Sequence, residues 1–320
     1  MNILVVRTDK LGDFITALPT FAVLKKHDPK NRVIALVAPL NMELASMCEF
    51  IDDVIVDEGE TILELSKKIA SFNIDASITL FSNTRVAVAQ FLARIPKRIA
   101  PATKLAQIFY TDRIKQRRSE VKMAEFEYNL ELSKSLFSNI DLTFKKPLLT
   151  FNENDVYDRF ISENNIAKPI VAFHVGFGGS SDANWSYDEY EELINIALKN
   201  EKIQVIMTFG PDEEDLYNRS REIFKNKNVV LFRSLNGIVN FCSLISHFKL
   251  FVSTSTGTYH LAGLVGTPTM TFFGNSLFAS VKRWKTISDE LIQHPYMIPT
   301  QKNEREELFH RVKEELVELL

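Results

Sequence analysis

Two short stretches carry residue types that could do chemistry. The first is Arg7-Thr-Asp-Lys-Leu-Gly-Asp13, directly after an apolar run. Gly12 has no Cβ and lets backbone or ligand approach closely at a strand-to-helix turn. Asp13 then stands at the start of a helix, where two roles are open to it. It can cap the helix, since Asp is among the best N-caps. It can also act as a general base that removes the proton from a hydroxyl nucleophile. The second stretch is Ser253-Thr-Ser-Thr-Gly-Thr-Tyr-His260, again a strand end followed by a helix start. Ser255, Thr256, Gly257 and Thr258 can offer N–H and hydroxyl donors to a diphosphate at the positive end of that helix. His260, one turn in, is either a structural histidine or a ligand contact. As a cation it would stabilise charge developing on a departing diphosphate.

A third stretch, Phe173-His-Val-Gly-Phe-Gly-Gly-Ser-Ser181, lies between a strand and a helix. Its glycines, Gly178 and Gly179 among them, leave backbone N–H groups free to surround an anionic oxygen, and Ser180 adds a hydroxyl. The other reading of such a segment is a flexible surface loop. It is no dinucleotide fingerprint, because no G-x-G-x-x-G leads directly into the helix, and the chain has no G-x-x-x-x-G-K-[ST]. Glu213 and Glu214 follow Gly210-Pro211; they suit either ribose hydroxyls or the dipole of a solvated helix start. Between Arg94 and Arg118 the chain turns basic, with Arg98 and Arg113 among the cations and Phe109 and Tyr110 among them. A solvated loop face explains such a run, as does a phosphate-bearing acceptor at a membrane surface. The six histidines are scattered and no paired carboxylates have D-x-D spacing, so no metal is expected.

These residues need elements to position them. Short β-rich runs alternate with amphipathic stretches. Strands are expected at Ile3–Val6, Val33–Val37, Val54–Val56 and Ala76–Leu80, with helices over Phe14–Lys26, Glu60–Phe72 and Thr84–Ala93. Pro19 suggests a kink or a late start in the first helix. The segment from Arg94 to Arg118 looks loose, and a helix follows over Ala124–Phe137. After a linker at Lys145–Phe151 comes a short helix near Asp155–Asn164. Alternation then resumes with strands Ile170–His174, Gln204–Thr208, Val229–Leu231, Leu250–Ser253 and Thr269–Phe273. Helices begin near Ser186, Asp212, Asn236 and Thr256. Ser186-Tyr-Asp-Glu189 fits a capping box. Glu304–Leu320 reads as a final amphipathic helix. This order implies an α/β fold with parallel sheets and right-handed crossovers.

A chain of 320 residues is too long for one compact core and comfortable for two domains. Residues 1–150 are expected to form an N-terminal Rossmann-like domain and 151–303 a second one. Residues 304–320 form a helix free to pack back on the first. A net charge of −3 argues against nucleic acid as a partner. Cys48 and Cys242, far apart in sequence, read as buried reduced thiols of a cytosolic protein. The first apolar run is four residues long and ends in charge, so it reads as a buried strand rather than a signal peptide. No stretch approaches the ~20 apolar residues that cross a bilayer. A cytoplasmic location is expected.

The motifs taken together resemble the ADP-heptose:lipopolysaccharide heptosyltransferases, glycosyltransferase family 9. The residues carrying the likeness are Leu4–Asp13 with Leu18-Pro19, the loop His174–Trp185, Phe209-Gly-Pro211, and Thr256-Gly-x-x-His260-Leu-Ala with Gly266-x-Pro268 and Phe273-Gly274. The resemblance implies a GT-B enzyme, two Rossmann-like domains facing each other across a cleft. It would be inverting and independent of metal or any other cofactor. It would move heptose from a nucleotide sugar, ADP-heptose, to the lipopolysaccharide core, as a peripheral protein at the inner face of the inner membrane of a Gram-negative bacterium. Asp13 would be the base. Gly178, Gly179, Ser180, Ser255, Thr256, Gly257 and His260 would hold the donor diphosphate. Glu213 or Glu214 would take the ribose, and Phe232 and Arg233 would flank the adenine. Lys10, Arg98 and Arg113 are candidates for the acceptor. Two positions depart from the family: Ser255 replaces a common Asp before Thr-Gly, and Ala183 a common Lys two residues before Trp185. A diphosphate held without that Lys needs another cation, for which Lys10 and Arg7 are available. The alternatives are a GT-B transferase using a different nucleotide sugar, and a family member that binds sugar nucleotides but is catalytically impaired. Oligomeric state has no signature in the sequence.

Overall fold

A computed structural model describes residues 1–103, 105–151, 155–177 and 184–320. The chain divides into two compact units, Met1–Leu148 and Leu149–Leu320. The first runs β1 (Asn2–Arg7), α1 (Leu11–His27), β2 (Arg32–Val37), α2 (Met42–Met47), β3 (Asp53–Val56), α3 (Ile62–Ala70), β4 (Ala76–Thr79), α4 (Thr84–Leu92), β5 (Lys97–Pro101), β6 (Asp112–Ile114) and α5 (Glu125–Ser133). The second runs α6 (Asp155–Glu163), β7 (Ile170–His174), α7 (Tyr187–Ala197), β8 (Gln204–Phe209), α8 (Glu214–Ile223), β9 (Val229–Arg233), α9 (Ile238–Ile245), β10 (Leu250–Thr254), α10 (Gly257–Val265), β11 (Thr269–Phe273), α11 (Val281–Trp284), β12 (Gln293–Met297) and α12 (Lys302–Leu319).

Each unit holds one six-stranded sheet, ordered β3-β2-β1-β4-β5-β6 in the first and β12-β11-β10-β7-β8-β9 in the second. Every recorded pairing is parallel. Counted from the start of each unit, both orders are the doubly wound Rossmann arrangement. The central strands are buried on both faces and therefore read as continuous apolar runs. Ile3 to Val6 are fully buried, as are Ile170 to Phe173. In both sheets the strand order reverses between the first and fourth strands of the unit. The crevice beyond the strands' carboxyl ends at that point is where such sheets bind ligands.

Several expectations need correction. The segment 94–118 is not loose: β5 and β6 lie within it. β12 was not foreseen either, and it closes the edge of the second sheet beside β11. α1 starts at Leu11 and runs through Pro19 to His27. The final helix packs on the second unit. Leu308, Phe309, Val312 and Leu316 join that unit's core, while Arg305 and Lys313 pair with Glu189 and Glu192 of α7. The apolar stripe on α12 faces the unit it follows, and the charges flanking it match those on α7. Among the described residues no helix is long and apolar enough to cross a membrane. Cys48 and Cys242 are both buried and form no disulfide.

Candidate functional site

In the first unit the reversal point lies between β1 and β4. β1 ends at Arg7, and α1 starts four residues later with Lys10 at its N-cap. Asp13 is therefore the third residue of the helix, and the N-cap receives no side-chain hydrogen bond. Asp13 does not cap. Its Oδ1 accepts from Arg7 Nη2 at 2.5 Å, with the side chain 22% exposed. Arg7 is almost completely buried, and its other donors reach Asp9 Oδ1 at 2.7 Å and Glu125 Oε1 at 3.4 Å. Phe81, just past β4, lies 5.7 Å from the Arg7 guanidinium. Asn83 Nδ2 donates to Thr8 Oγ1 at 3.5 Å, joining the two strand-end loops.

Three carboxylates around one guanidinium leave a surplus of negative charge. Burial lowers the proton affinity of Arg7, but Asp9, Asp13 and Glu125 outweigh it and the net shift is upward. Asp9 carries the surplus. Burial, then repulsion from Asp13, push its carboxyl up to about 6 despite the pull of Arg7. Arg7 is thus committed to these carboxylates and is no spare cation for a diphosphate. Lys10 and Arg113 are exposed. Arg98 is half-buried, and two of its nitrogens are taken up locally. Its Nε donates to Phe109 O at 2.7 Å and its Nη1 to Ile95 O, so the guanidinium ties its own surroundings together.

In the second unit the reversal point lies between β7 and β10. β7 ends at His174, in register with Thr208 and Ser253 of its neighbours. His174 Nδ1 meets Thr208 Oγ1 at 3.1 Å and its Nε2 lies 3.7 Å from Glu213 Oε1. Burial lowers the His174 pKa, with Glu213 opposing. Glu213 is the N-cap residue of α8, and its carboxylate folds back to accept from Gly210 N at 2.7 Å. Gly176 makes room for it, since a Cβ there would stand 1.7 Å from Glu213 Oε1. Glu214 is largely exposed and lies 3.6 Å from Arg233 Nη2. That nitrogen also donates to Pro211 O at 3.1 Å. Phe232 packs between Phe160 and Phe241. Gly178, Gly179, Ser180 and Ala183 lie outside the described residues.

β10 ends in Thr254, and Ser255 N donates to Phe272 O at 2.9 Å. Thr256 is the N-cap of α10 but makes no side-chain cap bond; its hydroxyl lies 2.9 Å from that of Thr258. The first N–H groups of α10, beginning with Gly257, therefore face outward along the helix axis with no intrahelical acceptor. His260 is 4% exposed, and its Nδ1 has no hydrogen-bond partner among the described residues. Burial alone pushes its pKa down to about 4. Of the two forms open to it, the neutral ring is the one burial favours near pH 7, since among the described residues no charged group offsets the loss of water around an imidazolium. A neutral ring can still donate one N–H to a phosphate oxygen.

The glycine-rich loop ends at an anchor that sequence reasoning missed. Asn184 Oδ1 accepts from Trp185 N at 2.9 Å, from Tyr190 OH at 3.2 Å and from Thr254 Oγ1, tying the approach to α7 to the end of β10. Arg305 of α12 donates to Asn184 O at 2.9 Å and sits 4.5 Å from the Trp185 ring. Ser186 opens α7 with the expected capping box: Glu189 N reaches Ser186 Oγ at 3.2 Å, and Ser186 N reaches Glu189 Oε2 at 2.6 Å. Asp9 and Glu125 were also missed. Asp9 was legible as part of the first motif; Glu125 has no local signal, since it meets Arg7 from 118 residues away.

Comparison with known proteins places the chain in a family. The sequence model of glycosyltransferase family 9 (heptosyltransferase) matches residues 62–310. A Haemophilus influenzae protein, provisionally named a glycosyltransferase, is 35% identical over 300 residues, covering 90% of this chain and 86% of that one. Lipooligosaccharide heptosyltransferase 2 of Campylobacter jejuni is 24% identical, covering 88% and 84%. Among solved structures, E. coli ADP-heptose LPS heptosyltransferase II aligns with a TM-score of 0.81 at 18% identity, over 100% of this chain and 98% of that one.

Proposed function

The chain belongs to glycosyltransferase family 9, the heptosyltransferases, and on that premise we propose that it moves a heptose from ADP-heptose to a lipopolysaccharide or lipooligosaccharide core, with Asp13 as the general base. Glycosyl transfer in lipopolysaccharide core synthesis is the activity its relatives support. The choice of donor and the role of Asp13 are this reading's own.

The reaction is a single displacement. The acceptor hydroxyl oxygen attacks the anomeric carbon, its proton passes to Asp13, and the bond from that carbon to the phosphate oxygen breaks. The nucleoside diphosphate departs with the bonding pair. Configuration inverts, because attack and departure lie on opposite faces. The leaving charge is met without metal by the outward N–H groups at Gly257, the hydroxyls of Ser255 and Thr256, and a ring N–H of neutral His260. The glycine-rich loop with Gly178, Gly179 and Ser180 adds further donors. Glu213 and Glu214 are the carboxylates offered to the ribose, and Phe232 and Arg233 border the base. Lys10 and Arg113 are exposed cations suited to an anionic acceptor. Such an acceptor is held in a membrane, so this reading has the protein working at the cytoplasmic face of the inner membrane.

One observation carries the reading. Asp13 does not cap its helix; its carboxylate is held by Arg7 at the ligand-binding end of β1. Asp13→Asn should lower kcat by roughly a hundred- to ten-thousandfold, leaving a small measurable rate, while donor binding and melting temperature stay near wild type; a variant with full turnover ends the assignment. Thermal shift with ADP, UDP and GDP checks the nucleotide. Stabilisation follows RT ln(1 + [L]/Kd), so ADP should give the largest rise, and a larger rise with UDP would replace the donor.

A further inference from the structure

Arg7 and Asp13 do not stand alone. Glu125, the first residue of α5, receives Arg7 Nη1 at 3.4 Å on Oε1. The same oxygen accepts from Arg118 Nη1 at 2.5 Å, and Arg118 Nε donates to Gln116 Oε1 at 2.9 Å. Side-chain contacts therefore run in an unbroken line from Asp13 through Arg7 and Glu125 to Arg118. Arg7 and Glu125 are 1% and 3% exposed, so water cannot substitute for either partner. α5 is also fixed against α1, since Asn129 Nδ2 donates to Thr16 O at 3.1 Å.

A guanidinium is a planar fork, and fixing one of its prongs fixes the direction of the others. Asp9 holds Nε at 2.7 Å, and Glu125 meets Nη1 at 3.4 Å. What remains, Nη2, sets where the Asp13 carboxylate rests. Without Glu125 the fork can swing about its link to Asp9 and carry Asp13 with it.

We propose that Glu125 is a positioning residue for glycosyl transfer. It holds Arg7, Arg7 holds the Asp13 carboxylate in the orientation that meets the acceptor hydroxyl, and Glu125 itself touches no substrate. This rests on Asp13 being the base. Misplacement of a catalytic group by about 1 Å can cost on the order of a hundredfold in rate, and a loosened rather than removed anchor should cost less.

The test is a double-mutant cycle on the full chain, using ADP-heptose with a lipooligosaccharide core lacking heptose. Glu125→Gln should lower kcat roughly tenfold while the donor KM stays within about twofold. Glu125→Asp, which keeps the charge, should recover part of the loss. Adding Glu125→Gln to Asp13→Asn should change the residual rate by less than about twofold, because the group it positions is already gone. A merely structural role predicts the same fractional loss in both backgrounds, and that result overturns the proposal, as does an unchanged kcat. Should Glu125→Gln not fold, Arg118→Gln takes its place in the same cycle, with a smaller loss expected and the same criterion. An Asp13→Asn single variant with full activity removes the base and this proposal together, and it is read separately from the cycle.

Discussion

Acid should weaken the second unit through His260, by an amount that follows from its burial. The ring is held neutral, with its pKa moved from 6.5 to about 4 by loss of solvent. Between those values the unfolded chain binds a proton that the native state refuses, so stability falls as pH drops through the window. Both pKa values together give a loss of about 2 kcal/mol between pH 7 and pH 5, since each pKa unit is worth about 1.4 kcal/mol. For a unit of this size that corresponds to a drop of roughly 4–8 °C in melting temperature. Other groups also respond to acid, so the measurement is a comparison of slopes. Melting temperatures of wild type and His260→Gln are followed by calorimetry from pH 7.5 to 5. The substitution carries its own packing cost, which displaces the whole curve; the predicted effect is on steepness. The variant should lose about 2 kcal/mol less across the range. Parallel curves would refute the argument, showing that the imidazole finds a partner or solvent on protonation.

Two further outcomes come from charge and space. Gly176→Ala would place a methyl 1.7 Å from Glu213 Oε1 and 2.3 Å from its Cδ. The carboxylate must leave Gly210 N–H, with a loss of about 1.5–3 kcal/mol in urea unfolding, the range for hydrogen bonds to charged groups. Gly176→Ala with Glu213→Ala should then be no less stable than Glu213→Ala alone; full additivity would show that the clash is relieved elsewhere. Asp9 behaves oppositely to His260. Its folded pKa is raised from 3.8 to about 6, so the native state binds more protons than the unfolded chain between those values, and stability falls as pH rises through them. Asp9→Asn removes this response, and its stability relative to wild type should improve by on the order of 2 kcal/mol from pH 4 to pH 7. A relative stability independent of pH would show that Arg7 neutralises all three carboxylates.

How much could be read from sequence depended on whether the deciding contacts were local. β7 and β11 are central or near-central strands, and their apolar runs mark their ends correctly at Ile170–His174 and Thr269–Phe273. β6 and β12 are edge strands, and their sequences lack such runs. Asp112-Arg-Ile114 is short and partly exposed. Gln293-His-Pro-Tyr-Met297 contains a proline at its middle, which an edge strand tolerates. Lys97–Pro101 was hidden by its charged start. The Ser186 cap was legible because all its atoms come from four consecutive residues. At Asp13 local spacing left cap and base both open, and the partner that separates them is Arg7, six residues earlier. The charge state of His260 stayed open because it depends on the burial of α10, and no short motif encodes burial. Glu125 and Arg305 were beyond reach for the related reason that their partners lie more than a hundred residues away.

The two units use one strand order for opposite electrostatic ends. At the reversal point of the first sheet, ionised groups are buried together: Arg7 is shared by Asp9, Asp13 and Glu125, with Arg118 beyond. Such an arrangement costs solvation, but it supplies a carboxylate whose direction is fixed, which is what proton removal requires. At the end of β10 the groups are neutral: hydroxyls at Thr256 and Thr258, a helix start, and an imidazole that burial keeps uncharged, while the Glu213 carboxylate lies by His174 at the end of β7. A fixed cation there would attract the developing charge too, but it would also bind the already charged diphosphate strongly before cleavage. Neutral donors instead gain most where negative charge grows on the leaving oxygen, so they favour the transition state over the bound donor. On the proposed reading, an aspartate at 255 would repel the departing diphosphate, so Ser255→Asp should slow transfer rather than improve it.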